Sequence, residues 1–66
     1  MKIILNGKEI DVEVGLTISE LLVQKKLNPK AIIIEYNGEL VKEDAWSETI
    51  LKENDKLETL QFVGGG

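Results

Sequence analysis

The side chains of this chain offer little reactive chemistry, and that moves attention to its end. Among its 66 residues there is no Cys and no His. Thiol catalysis, storage of sulfur as a persulfide, and a Cys/His zinc site are therefore excluded. No Ser stands beside a base, and adjacent acids such as Glu43 and Asp44 read as solvated charges on a loop. No glycine-rich phosphate cradle of the G-x-x-x-x-G-K type is present, so ATP is not expected to bind this chain. What the sequence does offer is Val63, Gly64, Gly65 and Gly66 after a strand pattern. Such an ending presents the Gly66 carboxylate as the candidate reacting group, on a stalk without side chains. Glycine reaches φ values closed to other residues and fits a channel too narrow for a Cβ. The competing reading is an inert linker or disordered end.

A reacting end needs a body that positions it. Residues 1–5 are a short apolar strand, and Asn6-Gly7 signals a tight hairpin turn. On the return strand Ile10, Val12 and Val14 alternate with Glu9, Asp11 and Glu13, the pattern of one buried and one wet face. Gly15 breaks that strand. Thr17 and Glu20 then form a T-x-x-E capping box. Ile18, Leu21 and Leu22 follow at helical spacing, with Lys25 and Lys26 expected in the last turn and Asn28-Pro29 as the stop. Residues 31–36 read as a central strand, parallel to the first. Asn37-Gly38 makes a second tight turn, residues 39–41 a short strand, and residues 42–47 an irregular loop anchored by Trp46 packing. After a turn at residues 53–55, residues 56–63 form the last strand. A hairpin, a crossover helix and further strands predict an α+β β-grasp, or ubiquitin-like, fold. Its mixed sheet would have four to five strands and one main helix across one face. Residues 1–63 form the domain and residues 64–66 a flexible tail.

The totals narrow the partners. The chain carries 12 Asp+Glu against 8 Lys+Arg, a net charge of −4. Nucleic-acid binding would need a basic face for the phosphates. No apolar run approaches the roughly 18 residues of a membrane span, and Met1-Lys2 leads straight into a strand, so neither a membrane segment nor a signal peptide is expected and the location is cytoplasmic. No metal site is expected.

The last strand carries a second clue. Leu57, Thr59, Gln61 and Val63 share one parity; Lys56, Glu58, Leu60 and Phe62 share the other. If Leu57 faces the core, Leu60 and Phe62 face outward beside Val63 and the glycines. Exposed apolar residues there would make a docking patch. The alternative is a bulge that turns them inward, or cover from the chain itself.

Several segments together resemble one family. They are Met1-Lys2-Ile3 with Leu5-Asn6-Gly7, Thr17-Ile18-Ser19-Glu20-Leu21-Leu22, Glu35-Tyr36-Asn37-Gly38-Glu39-Leu40-Val41, Trp46, and Phe62-Val63-Gly64-Gly65-Gly66. The chain resembles the ThiS family, the sulfur carriers of bacterial thiamin biosynthesis, over essentially its whole length. It departs from the family at Lys42 and Glu43, where proline and then arginine often stand. The resemblance implies that the chain is not an enzyme but is acted on by others. An adenylating enzyme related to ubiquitin-activating enzymes would use ATP, with Mg, on the Gly66 carboxylate. Sulfur, in many members ultimately from a cysteine desulfurase, would then replace AMP to give a thiocarboxylate that thiazole synthase consumes. Leu60, Phe62, Val63, Gly64 and Gly65 would contact these partners. Alternatives with the same fold are the small subunit of molybdopterin synthase, a ubiquitin-like carrier or protein modifier of another pathway, and a β-grasp binding domain with an unreactive tail.

Overall fold

The structure is a computed structural model and describes residues 1–62. Strand β1 (Lys2–Leu5) pairs antiparallel with β2 (Lys8–Asp11), in the register Lys2↔Asp11 to Leu5↔Lys8. The turn between them places Asn6 at φ 51° and Gly7 at φ 83°. Those values are the reason Asn-Gly occupies it, because both residues tolerate the left-handed region. The return strand is shorter than its alternation suggests. β2 ends at Asp11, Val12 is half-buried, and Val14 is 84% exposed. The cause is local. Leu16 N–H bonds back to the Glu13 carbonyl at 3.3 Å and Gly15 sits at φ 91°, so the chain leaves the sheet before Val14 can take its inward place.

Helix α1 (Ile18–Gln24) starts at the predicted capping box. Glu20 N–H donates to Thr17 Oγ1 at 3.2 Å, and Thr17 N–H donates to Glu20 Oε1 at 2.9 Å. Ile18, Leu21 and Leu22 are its buried stripe. Lys25 and Lys26 lie past its last turn, not within it: Lys25 is the C-cap and Lys26 turns left-handed at φ 57°. Lys26 N–H then reaches the Val23 carbonyl and Leu27 N–H the Leu22 carbonyl, at 3.1 and 2.9 Å. This is a Schellman closure, which brings half-buried Leu27 against the core. Lysine occupies the position that glycine usually takes. A 3-10 turn (Pro29–Ala31) follows, capped by Asn28.

β3 (Ile32–Tyr36) and β4 (Glu39–Val41) form the second hairpin, and β5 (Lys56–Gln61) closes the sheet. The five strands lie in the order β2-β1-β5-β3-β4. The expectation that residues 31–36 run parallel to the first strand is corrected. β5 is parallel to β1 and antiparallel to β3, so β3 runs opposite to β1. A crossover helix makes the strand after it parallel to the strand before it. That preceding strand is β2, which already runs against β1.

The core lies between α1 and one face of the sheet. It comprises Ile3, Leu16, Ile18, Leu21, Leu22, Ile32, Ile34, Trp46, Leu51 and Leu57. Trp46, after a 3-10 turn (Glu43–Ala45), packs as expected. It is 3% exposed and its Nε1 donates to the Val41 carbonyl at 2.9 Å. Among the described residues no helix is long and apolar enough to cross a membrane, and no group of acids could hold a metal ion.

Candidate functional site

The strand that leads to the glycines is held at the centre of the sheet. β5 pairs with β1 through Ile4↔Lys56 and Leu5↔Leu57, and with β3 from Ile32↔Gln61 to Tyr36↔Leu57. Two turn asparagines add to these ladders. Asn6 Oδ1 accepts from Thr59 N–H at 2.8 Å, while its Nδ2 donates to Thr59 Oγ1 at 2.8 Å. Asn37 Oδ1 accepts from Lys56 N–H at 2.8 Å.

Asp55 fixes the start of the strand. It is the one buried charged residue among those described, at 8% exposure. Its carboxylate accepts from Tyr36 Oη at 2.6 Å, Lys52 N–H at 2.7 Å and Asn37 Nδ2 at 3.1 Å. Burial pushes the Asp55 carboxyl up, but the hydrogen bonds from Tyr36, Lys52 and Asn37, with the Lys52 charge, outweigh it and hold the group below its ordinary value. The Tyr36 hydroxyl is pushed up to about 12, by burial first and then by its bond to the Asp55 carboxylate and that group's charge. Sequence reading took residues 53–55 only as a turn. A lone Asp in a turn gives no sign that it will be buried.

The two faces of β5 differ as their parity requires. Leu57 is fully buried, whereas Leu60 is 64% and Phe62 51% exposed. No bulge turns either of them inward. Leu60 stands opposite Ile33, and Glu58 opposite Glu35, whose other neighbour is Leu40 of β4. Leu40 is as exposed as Leu60. The outer face therefore carries Ile33, Leu40, Leu60 and Phe62, of which the sequence singled out only the last two. Leu40 and Ile33 were missed because their membership depends on which strands β3 touches. Phe62 N–H donates to the Ala31 carbonyl at 2.8 Å. The other sequence-predicted site residues, Val63, Gly64, Gly65 and Gly66, lie outside the described residues.

A five-stranded mixed sheet with one helix across one face, and its last strand inserted beside the first, defines a ubiquitin-like β-grasp protein. A solved structure of the same kind, the thiamine biosynthesis protein ThiS of Geobacter metallireducens, superimposes with a TM-score of 0.87 at 35% identity, covering all of both chains. The ThiS family profile matches residues 3–66, and the chain belongs to the ThiS family. The sulfur carrier protein ThiS of Bacillus subtilis is 38% identical over 64 residues, which are 94% of this chain and 96% of that protein. A thiazole synthase of Magnetococcus marinus is 35% identical over 66 residues, but these make up only 20% of that protein. The chain thus spans about a fifth of the length of the thiazole synthases it matches.

Proposed function

We propose that this protein is a sulfur carrier of thiamin biosynthesis that works through the carboxylate of Gly66. The observation that carries the reading is that the family match runs to Gly66 on a domain superimposing over its whole length with a ThiS structure. A carboxylate is a poor acyl donor because its leaving group would be oxide. Attack of the Gly66 carboxylate on the α-phosphorus of ATP, with loss of pyrophosphate, gives an acyl adenylate whose leaving group is AMP. Hydrosulfide displaces AMP to leave a thiocarboxylate directly. A protein persulfide displaces AMP to give an acyl disulfide, whose S–S bond a thiol then cleaves, releasing the thiocarboxylate and ending as a disulfide with the donor sulfur. The adenylating enzyme supplies the nucleotide site and the Mg, and a cysteine desulfurase is the ultimate sulfur source. Thiazole synthase is the acceptor, a role favoured by thiazole synthases that contain a stretch similar to this chain. In this reading the chain is a co-substrate with no catalytic groups of its own. Its contribution is a reachable terminus and an outer face for partners, with Leu60 and Phe62 on that face and Val63, Gly64 and Gly65 entering the partner's channel.

The test is an intact mass after incubation with the adenylating enzyme of the same genome, ATP and a sulfur source. One oxygen should be replaced by sulfur, and tandem fragmentation should place it on Gly66. An unchanged mass, under conditions where a known ThiS protein is converted, overturns the reading. So does protein from its native source whose chain continues past Gly66 without being trimmed.

A further inference from the structure

Glu35 of β3 and Glu58 of β5 are exposed and stand directly opposite each other on the outer face. Like charges in this position repel and destabilise the sheet. Neither is in an ion pair: those among the described residues are Lys2–Glu9 at 3.8 Å and Lys30–Glu43 at 3.9 Å, and Lys56, exposed on the same face two residues before Glu58, is paired with neither glutamate. The same face carries an apolar surface. Leu60 and Leu40 are each 64% exposed, and Leu40 is the cross-strand neighbour of Glu35. Glu35 and Glu58 line one hollow with Ile33, Leu60, Asn6 and Thr59. Two carboxylates held together beside apolar side chains repel in the free protein. A cation brought between them as the apolar rim is covered would be attracted by both in a medium of lowered dielectric.

Resting on the reading that this face docks on partner enzymes, we propose that Glu35 and Glu58 jointly receive one arginine or lysine side chain of the partner. Leu40 and Leu60 would seat against apolar residues around that side chain. An arginine suits the geometry best, because its planar fork can bond two carboxylates at once. A second copy of this chain does not fit. A two-fold contact centred on the pair would set it against its own copy, and one placed elsewhere on the face would supply no cation to it from the apolar residues there, between molecules that each carry a net charge of −4.

The test titrates the full chain, by calorimetry, into the adenylating enzyme and the thiazole synthase of the same genome at low and high ionic strength. Glu35→Gln/Glu58→Gln should raise the Tm by roughly 2–4 °C, because the repulsion is gone. It should also weaken binding to at least one enzyme by on the order of tenfold and flatten the salt dependence. More stable yet weaker-binding protein is the signature that a purely structural role does not give. Glu13→Gln/Glu48→Gln, with the same change in charge away from this face, should bind as the unaltered chain does. Unchanged affinity of the Glu35/Glu58 variant for both enzymes overturns the inference. So does an equal loss in the Glu13/Glu48 variant, a self-associating unaltered chain on ultracentrifugation, or an unaltered chain that binds neither enzyme. The mass assay reads the carrier function separately. Normal conversion to the thiocarboxylate with unaltered binding of the Glu35/Glu58 variant sinks this inference alone. Pair-dependent binding without conversion sinks the carrier reading alone.

Discussion

Asp55 and Tyr36 show how a single pair can hold the strand that leads toward the C-terminal glycines. The 2.6 Å bond between them lies where β3 ends and β5 begins. Its partners respond to pH in opposite directions. The folded state takes up a proton on Asp55 less readily than the unfolded chain. The contribution of Asp55 is therefore complete above its ordinary value of 3.8 and disappears as the pH falls through the lower folded value. The folded state holds the Tyr36 proton more tightly. Its contribution is complete below 10.0 and disappears as the pH rises toward about 12. Tyr36→Phe should cost about 1–3 kcal/mol near neutral pH, because a buried carboxylate loses one of its donors. In urea unfolding, the gap between the unaltered chain and Tyr36→Phe should narrow below pH 3.8 and again above pH 10.0. A gap that stays constant across both windows would show that the two groups are not coupled.

At the scale of elements, the two Asn-Gly turns do more than reverse the chain. Their backbone role is legible in sequence, since both asparagines and both glycines sit at positive φ, from 51° to 86°. Their second role is not legible. Asn6 and Thr59 are 53 positions apart, yet the Asn6 side chain makes both bonds that extend the short β1–β5 ladder. Asn6→Gly separates the roles, because glycine keeps the left-handed turn and removes the amide. It should destabilise the domain by about 1–2 kcal/mol and speed hydrogen exchange most at the Thr59 amide. Exchange at Thr59 no faster than in the unaltered chain would mean the side-chain bonds are dispensable. The same divide runs through the other elements. The capping box of α1, the packing of Trp46 and the outward parity of Leu60 and Phe62 follow from local pattern, and all are present. The early end of β2 and the placement of Lys25 and Lys26 beyond the helix were not read correctly. Each depends on backbone closing bonds, at Leu16 in one case and at Lys26 and Leu27 in the other, that residue types at those positions do not announce.

For the molecule as a whole, what the sequence could not supply was the order of the strands. Nothing local says that β5 inserts between β1 and β3, yet this insertion gathers Ile33, Glu35, Leu40, Glu58 and Leu60 on one face. It also gives β5 two separate duties, one on each side. Leu57 is fully buried against the helix side, and Leu60 lies 64% exposed on the other. A chain of this length has a total stability of roughly 3–10 kcal/mol. Leu57→Ala, which empties part of a core with few side chains to refill it, should cost about 2–5 kcal/mol and bring the domain near its unfolding limit. Leu60→Glu should shift stability by no more than about 0.5 kcal/mol, since the side chain is already in water. Partner affinity should respond in the reverse order. The added charge at Leu60 sits beside two glutamates and an apolar contact, so binding to the adenylating enzyme should fall below detection while the fold persists. The remaining folded Leu57→Ala protein should bind nearly as the unaltered chain does. Urea unfolding together with calorimetric titration reads both quantities on the same samples. If Leu60→Glu unfolds the domain as Leu57→Ala does, the outer face belongs to the packing of the molecule and not to its recognition of partners.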